Sequence, residues 1–61
     1  MTAVQKSCVT DAVKDIKHHK SLLNLISADV ENEKIVENLQ SAVAYLEFAY
    51  RVLEAIVDLK D

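Results

Sequence analysis

The sequence predicts an all-α protein, an antiparallel helical hairpin that dimerises into a four-helix bundle. Three observations lead to this fold class. The 61 residues include neither glycine nor proline, the residues that most often form turns and end helices, so very few connections are expected. Apolar residues recur at alternating spacings of three and four in both halves of the chain, which is typical of helices with a buried side. Hydrophobic residues also make up 51% of the chain, a high fraction for a single domain of a size that buries only about 60% of its unfolded surface.

The first helix is predicted over residues 2–27. Thr2 and Gln5 have the spacing of a capping box, in which each side chain bonds the backbone N–H of the other residue. Cys8 is expected to be a small buried hydrophobe at the edge of the apolar stripe, and His19 an interior or interface histidine within it. The stripe itself is expected to face the second helix and consists of Val9, Ala12, Ile16, His19, Leu23 and Ile26.

The second helix is predicted over residues 30–59, with Asp29 as its N-cap and Glu31 and Glu33 in its first turn. The stripe expected to pack on the first helix consists of Ile35, Val36, Leu39, Ala42, Val43, Leu46, Tyr50, Leu53 and Val57. A second apolar stripe lies on the opposite side of the same helix and consists of Tyr45, Phe48, Val52, Ala55 and Leu59. One neighbouring helix covers only one side, so we expect this second stripe to bind a second copy or another helical protein.

A three-helix arrangement is the alternative, with a break at residues 19–21 and Ser21 as an N-cap. The apolar spacing continues through this point without a change of phase. This continuity favours a single first helix.

Charge is unevenly distributed along the chain, whose net charge is −3. Residues 1–28 carry four lysines against two aspartates, a net charge of +2, whereas residues 29–61 carry eight acidic against three basic residues, a net charge of −5. The two halves are therefore expected to attract each other. Within the second helix, Glu47–Arg51 and Arg51–Glu54 have the spacing of ion pairs, and together with Asp58 these charges are expected to set the orientation of a partner.

The chain shows no pattern of a catalytic or cofactor site. It has no glycine-rich phosphate loop, and its single cysteine cannot form an internal disulfide. Asp15 and His19 could supply two metal ligands, whereas zinc sites use three or four. We expect no enzymatic activity, metal, cofactor or small-molecule substrate. With no long apolar run and no signal-peptide pattern, the sequence predicts a cytoplasmic protein that does not bind membranes.

The predicted function is that of a small interaction protein, a regulator, adaptor or chaperone that acts by helix–helix packing. The alternative is nucleic-acid binding through Lys6, Lys14, Lys17 and Lys20 on the outer face of the first helix. In chain length, loop position and heptad register, the hairpin resembles the Rop-type plasmid copy-number regulators, with which it shares no motif. That resemblance implies a dimeric bundle that binds RNA loops through the lysine face, whereas the overall acidity favours a protein partner.

Overall fold

The computed structural model describes residues 1–59, which form two helices, α1 (Ala3–Asp29) and α2 (Glu33–Asp58). The helices pack against each other as a hairpin whose Cα atoms span 47 × 14 × 10 Å. The prediction of an all-α hairpin is confirmed, and the alternative break at residues 19–21 is wrong because α1 runs through them. Lys60 and Asp61, which contribute to the predicted charge of the second half, lie outside the described residues. Within residues 1–59, neither helix is long and apolar enough to cross a membrane.

The predicted capping box at the start of α1 is confirmed. The backbone N–H of Gln5 donates to Thr2 Oγ1 at 3.1 Å, and the backbone N–H of Thr2 donates to Gln5 Oε1 at 2.9 Å. These two bonds satisfy backbone groups that have no partner within the first turn of a helix.

The connection between the helices differs from the prediction. Asp29 is the last residue of α1 and not the N-cap of α2; that cap is Asn32, whose Oδ1 accepts from the N–H groups of Lys34 at 3.0 Å and Ile35 at 3.2 Å. Val30 and Asn32 both have extended backbones, so the chain reverses between two caps with no positive φ among the described residues. A turn of this kind does not require glycine, which explains how a chain without glycine forms a hairpin.

The two helices meet along a seam of positions that alternate at spacings of three and four. Val13, 7% exposed, is the only buried residue among those described, and the other seam residues are half-buried. The α1 side consists of Val9, Val13, Ile16, Lys20, Leu23, Ser27 and Val30, and the α2 side of Val36, Leu39, Val43, Leu46, Tyr50, Leu53 and Val57. The predicted α2 stripe is confirmed, except that Ile35 is exposed and the half-buried Ala42 lies at the edge of the seam.

The predicted α1 stripe is wrong at His19 and Ile26, which are exposed, whereas Ala12 is half-buried at the edge of the seam. The seam holds Val13, Lys20 and Ser27 where the prediction placed Ala12, His19 and Ile26. The Lys20 ammonium reaches a carboxylate of α2, and the Ser27 hydroxyl donates to the Leu23 carbonyl at 2.9 Å, so both polar groups are satisfied at half-buried positions.

This one-position shift changes the expected burial of two further side chains. Cys8 and His19 are exposed, so the expectations of a buried thiol and of an interior histidine are both wrong. Both residues lie beside the seam and not in it. His19 remains available to an interface with another chain.

Candidate interaction surface

One side of the hairpin is charged and carries the ion pairs between the helices. Lys17 Nζ lies 3.7 Å from Glu54 Oε1, and Lys20 Nζ lies 3.2 Å from Glu47 Oε1. The predicted attraction between the two halves of the chain is thus confirmed. Arg51 Nη2 also lies 3.4 Å from Glu47 Oε1, which confirms the predicted Glu47–Arg51 pair. The predicted Arg51–Glu54 pair is wrong, because the Glu54 carboxylate pairs with Lys17 on the other helix.

Tyr50 lies beneath the two lysines of this charged side. Lys17 Nζ is 5.1 Å and Lys20 Nζ 5.6 Å from the centroid of its ring, within the range of cation–π attraction. A half-buried tyrosine in the seam therefore helps to hold both ammonium groups against α2. The pattern of alternating apolar residues placed Tyr50 correctly but did not indicate this contact.

These contacts involve two of the four lysines that were considered as a nucleic-acid face. Lys17 and Lys20 pair with carboxylates of α2. Lys6 is half-buried and Lys14 exposed, and neither forms an ion pair within residues 1–59. A phosphate group would have to compete with Glu47 and Glu54 for half of the predicted face.

Glu47 receives both cations on one oxygen, and this lowers the pKa of its carboxyl. The hydrogen bond and charge of Lys20 are the larger cause, and the hydrogen bond and charge of Arg51 add to it. Both effects favour the ionised form of the carboxyl group.

The opposite side of the hairpin is predominantly apolar. In an antiparallel helix pair, residues that flank the seam on the side away from the ion pairs share one surface across both helices. From α1 this surface takes Cys8, Ala12, Asp15, His19, Leu22 and Ile26, and from α2 it takes Ile35, Asn38, Ala42, Tyr45, Ala49, Val52 and Ile56. We refer to these residues together as the apolar face.

The shape of the apolar face suits a packed helix. Ala12, Ala42 and Ala49 are half-buried and flank the seam along its length, whereas larger side chains beside them stand in solvent. Among the larger ones, Tyr45 is 76% exposed and Ile26 49% exposed. Small residues between larger ones allow the side-chain ridge of another helix to approach closely.

The five residues predicted as a protein interface, Tyr45, Phe48, Val52, Ala55 and Leu59, are all exposed. Tyr45 and Val52 belong to the apolar face, and the other three continue it around the back of α2, away from α1. The contribution of α1 was missed because its spacing was assigned to the seam. The signal was present in the sequence, since the α1 residues of the apolar face recur at spacings of four, three, four, three and four.

The described part of the chain brings together no group of three His, Cys, Asp or Glu side chains that could hold a metal ion. An open cleft on the charged side is lined by Thr10, Val13, Lys14, Lys17, Glu54, Val57 and Asp58. In this cleft the carboxylate of Glu54 is already paired with Lys17.

Comparison of the chain with protein-family models, with curated proteins and with solved structures finds no match. The candidate site is therefore described by its own geometry, a hairpin with one charged side and one apolar side.

Proposed function

We propose that this chain is a non-enzymatic interaction protein whose apolar face binds a second copy of itself, giving a homodimeric four-helix bundle. The observation that carries the proposal is the position of the exposed apolar residues. Leu22 and Ile26 of α1 and Ile35, Tyr45, Val52 and Ile56 of α2 lie on the side of the hairpin opposite to the interhelical ion pairs. A second hairpin that packed there would cover both helices at once.

The proposal is supported by how little the hairpin buries alone. Val13 is the only buried residue among those described, and a domain of this size with so small a core is marginally stable and gains from further burial. Tyr45, Val52 and Ile56 are 76%, 44% and 36% exposed, and covering the apolar surface that remains contributes about 25 cal/mol per Å². A second copy supplies the missing burial.

The dimensions of the hairpin fit a stable interface. A face of 47 × 14 Å has a projected area of roughly 660 Å², before side chains are included. Stable protein–protein interfaces bury about 800 Å² on each partner. An apolar patch of several hundred Å² on a small protein is also a recognised mark of an interaction site.

In this proposal the dimer acts as a regulator, an adaptor or a chaperone. Phe48, Ala55 and Leu59, on the back of α2, stay exposed at the edge of the bundle and supply the contact with a helical partner. We propose the cytoplasm as the site of action, because a single unpaired thiol suits a reducing compartment. RNA is not the partner that we propose, since Lys17 and Lys20 already pair with α2.

The proposal is tested by placing a charge in the apolar face. Val52→Asp puts a carboxylate at a position where the second copy would bury it, and we expect the dissociation constant of the dimer to rise at least tenfold. Leu25→Asp is the matched control, because Leu25 is 67% exposed on the outer side of α1 and lies outside the apolar face. Sedimentation equilibrium measures both constants.

Three outcomes can be distinguished in this experiment. Loss of the dimer in Val52→Asp alone supports the proposal. Equal weakening by the two variants would place the interface elsewhere on the hairpin. A wild-type chain that is monomeric throughout would reject the proposed dimer.

A further inference from the structure

We propose that the second copy docks with its α1 antiparallel to α1 across a two-fold axis, so that Asp15 of each chain faces His19 of the other. This inference rests on the dimer proposed above and specifies how the two apolar faces are aligned.

The first observation concerns the polar groups of the apolar face. Asp15 and His19 are its carboxylate and its imidazole, both are exposed, and both lie in the α1 half of the face. They are separated by one helical turn, yet they form neither a hydrogen bond nor an ion pair with each other among the contacts of residues 1–59. When a partner covers this surface, the carboxylate requires a new donor, because an unpaired charge at an interface is costly.

The second observation is that the residue spacing in the α1 half of the apolar face is the same when counted from either end. Its spacings are four, three, four, three and four, with the midpoint between Asp15 and His19. Two antiparallel copies centred on that midpoint set Asp15 opposite His19 of the partner subunit. In the same alignment Ala12 lies opposite Leu22, and Cys8 opposite Ile26, of the second copy. In the α1 half of the interface, every apolar side chain then lies opposite an apolar side chain, and the Asp15 carboxylate lies opposite the His19 imidazole.

The α2 half of the interface fits the same two-fold axis. Its four C-terminal residues, Tyr45, Ala49, Val52 and Ile56, recur at spacings of four, three and four. The ion pairs of Glu47 and Glu54 with Lys20 and Lys17 set this segment beside the middle of the α1 half. This order of spacings is also symmetric, so antiparallel packing of α2 on the α2 of a second copy sets Tyr45 opposite Ile56 and Ala49 opposite Val52. This half of the interface carries no charged side chain and needs no complementary charge.

The competing two-fold arrangement stacks α1 of one chain on α2 of the other. It would set Asp15 and His19 against the alanine, valine and tyrosine side chains of the α2 half. The carboxylate would then be covered without a partner from the other chain. Charge complementarity therefore selects the arrangement in which like helices stack.

The inference is tested in trans with two variants that break the pairing in opposite senses. In Asp15→Lys, the new ammonium faces the His19 imidazole of an identical partner. In His19→Glu, Asp15 faces a second carboxylate. Each variant is expected to self-associate about tenfold more weakly than the wild type. In an equimolar mixture the Asp15→Lys chain faces the His19→Glu chain, which restores one Lys–Glu and one Asp–His contact.

Native mass spectrometry of the mixture distinguishes the two homodimers from the heterodimer by mass. We expect the heterodimer to exceed clearly the fraction of about one half that random pairing gives. Asp11→Lys mixed with His18→Glu is the matched control, because both of these residues are exposed on α1 and lie outside the apolar face. That mixture should give random pairing. A contact between Asp15 and His19 of the same helix cannot favour the heterodimer, since each variant lacks one of these two groups.

Two results would overturn the inference. A random distribution for the Asp15→Lys and His19→Glu mixture, with the wild type still dimeric, would exclude this alignment and leave the dimer intact. The exchange variant Asp15→His with His19→Asp keeps both contacts across the axis. If it is helical by circular dichroism yet dimerises at least about tenfold more weakly than the wild type, the alignment is also wrong. A monomeric wild type would instead reject the proposed dimer itself.

Discussion

Lys20 occupies a seam position at which an apolar residue is the usual choice. Its Nζ lies 3.2 Å from Glu47 Oε1 and 5.6 Å from the ring centroid of Tyr50, so its stem can line the seam while its charge is satisfied at the edge. His19, the neighbouring residue, is displaced onto the apolar face by the same choice. Hydrophobicity alone does not show whether Lys20 or His19 occupies the seam. The partner of Lys20 is Glu47, which lies 27 residues away in the sequence.

The cluster around Glu47 predicts how the hairpin responds to acid. Lys20 and then Arg51 hold the pKa of the Glu47 carboxyl below its ordinary value of 4.5. Ionised Glu47 therefore stabilises the folded chain above that value, and this contribution is lost as the pH falls towards the lowered pKa. Glu47→Gln removes the titrating group, so we expect its Tm to fall less than the wild-type Tm between pH 6 and pH 3. Thermal melts followed by circular dichroism measure the difference.

Glu37→Gln is the control for this experiment. Glu37 is exposed on the same helix and forms no ion pair within residues 1–59. Its variant should lose as much Tm as the wild type over the same interval. An equal loss in Glu47→Gln and Glu37→Gln would show that the Lys20–Glu47 contact does not contribute to the acid dependence.

At the scale of the elements, the sequence predicted both helices, the capping box of α1 and the α2 side of the seam. These features depend on local spacing and on residue types that act within one turn. The start of α2 was predicted less well, because Asp29 and Asn32 are both favourable N-caps. The structure extends α1 to Asp29 and leaves Asn32 to form the cap.

The assignment of Asn32 as the N-cap predicts different effects for two similar substitutions. Asn32→Ala removes the acceptor for the N–H groups of Lys34 and Ile35, and we expect the free energy of unfolding to fall by about 1 kcal/mol. Asp29→Ala removes a carboxylate from the last turn of α1, where the helix dipole does not favour it, and should change stability by less than about 0.5 kcal/mol. Urea denaturation measures both. A larger loss of unfolding free energy in Asp29→Ala than in Asn32→Ala would support Asp29 as the N-cap of α2.

The placement of the α1 seam is tested by truncating two valines. Val13 is 7% exposed and Val4 is 73% exposed. Val13→Ala is expected to lower the free energy of unfolding by about 1–3 kcal/mol, because it removes buried methyl groups and leaves a gap in the seam. Val4→Ala should cost less than about 0.5 kcal/mol. Similar costs for the two variants in urea denaturation would contradict the seam assigned here.

At the scale of the whole molecule, the hairpin has one charged side and one apolar side. The sequence predicted that α2 has an uncovered apolar stripe, because a single neighbouring helix leaves one side open. It did not predict that α1 continues this surface through Leu22 and Ile26, which are 42% and 49% exposed. Their place depends on the rotation of α1 about its axis, which is consistent with the contacts of Lys20 with Glu47 and Tyr50 on α2. Hydrophobicity does not reveal these contacts.

The central claim is that a second copy covers the apolar face, and the mass of the wild-type chain in solution tests it most directly. Light scattering coupled to size-exclusion chromatography should be performed from micromolar to hundreds of micromolar protein. We expect one sharp species of twice the chain mass of 6.8 kDa that persists on dilution. A folded monomer of 6.8 kDa over the whole range, with its apolar face open to solvent, would contradict it.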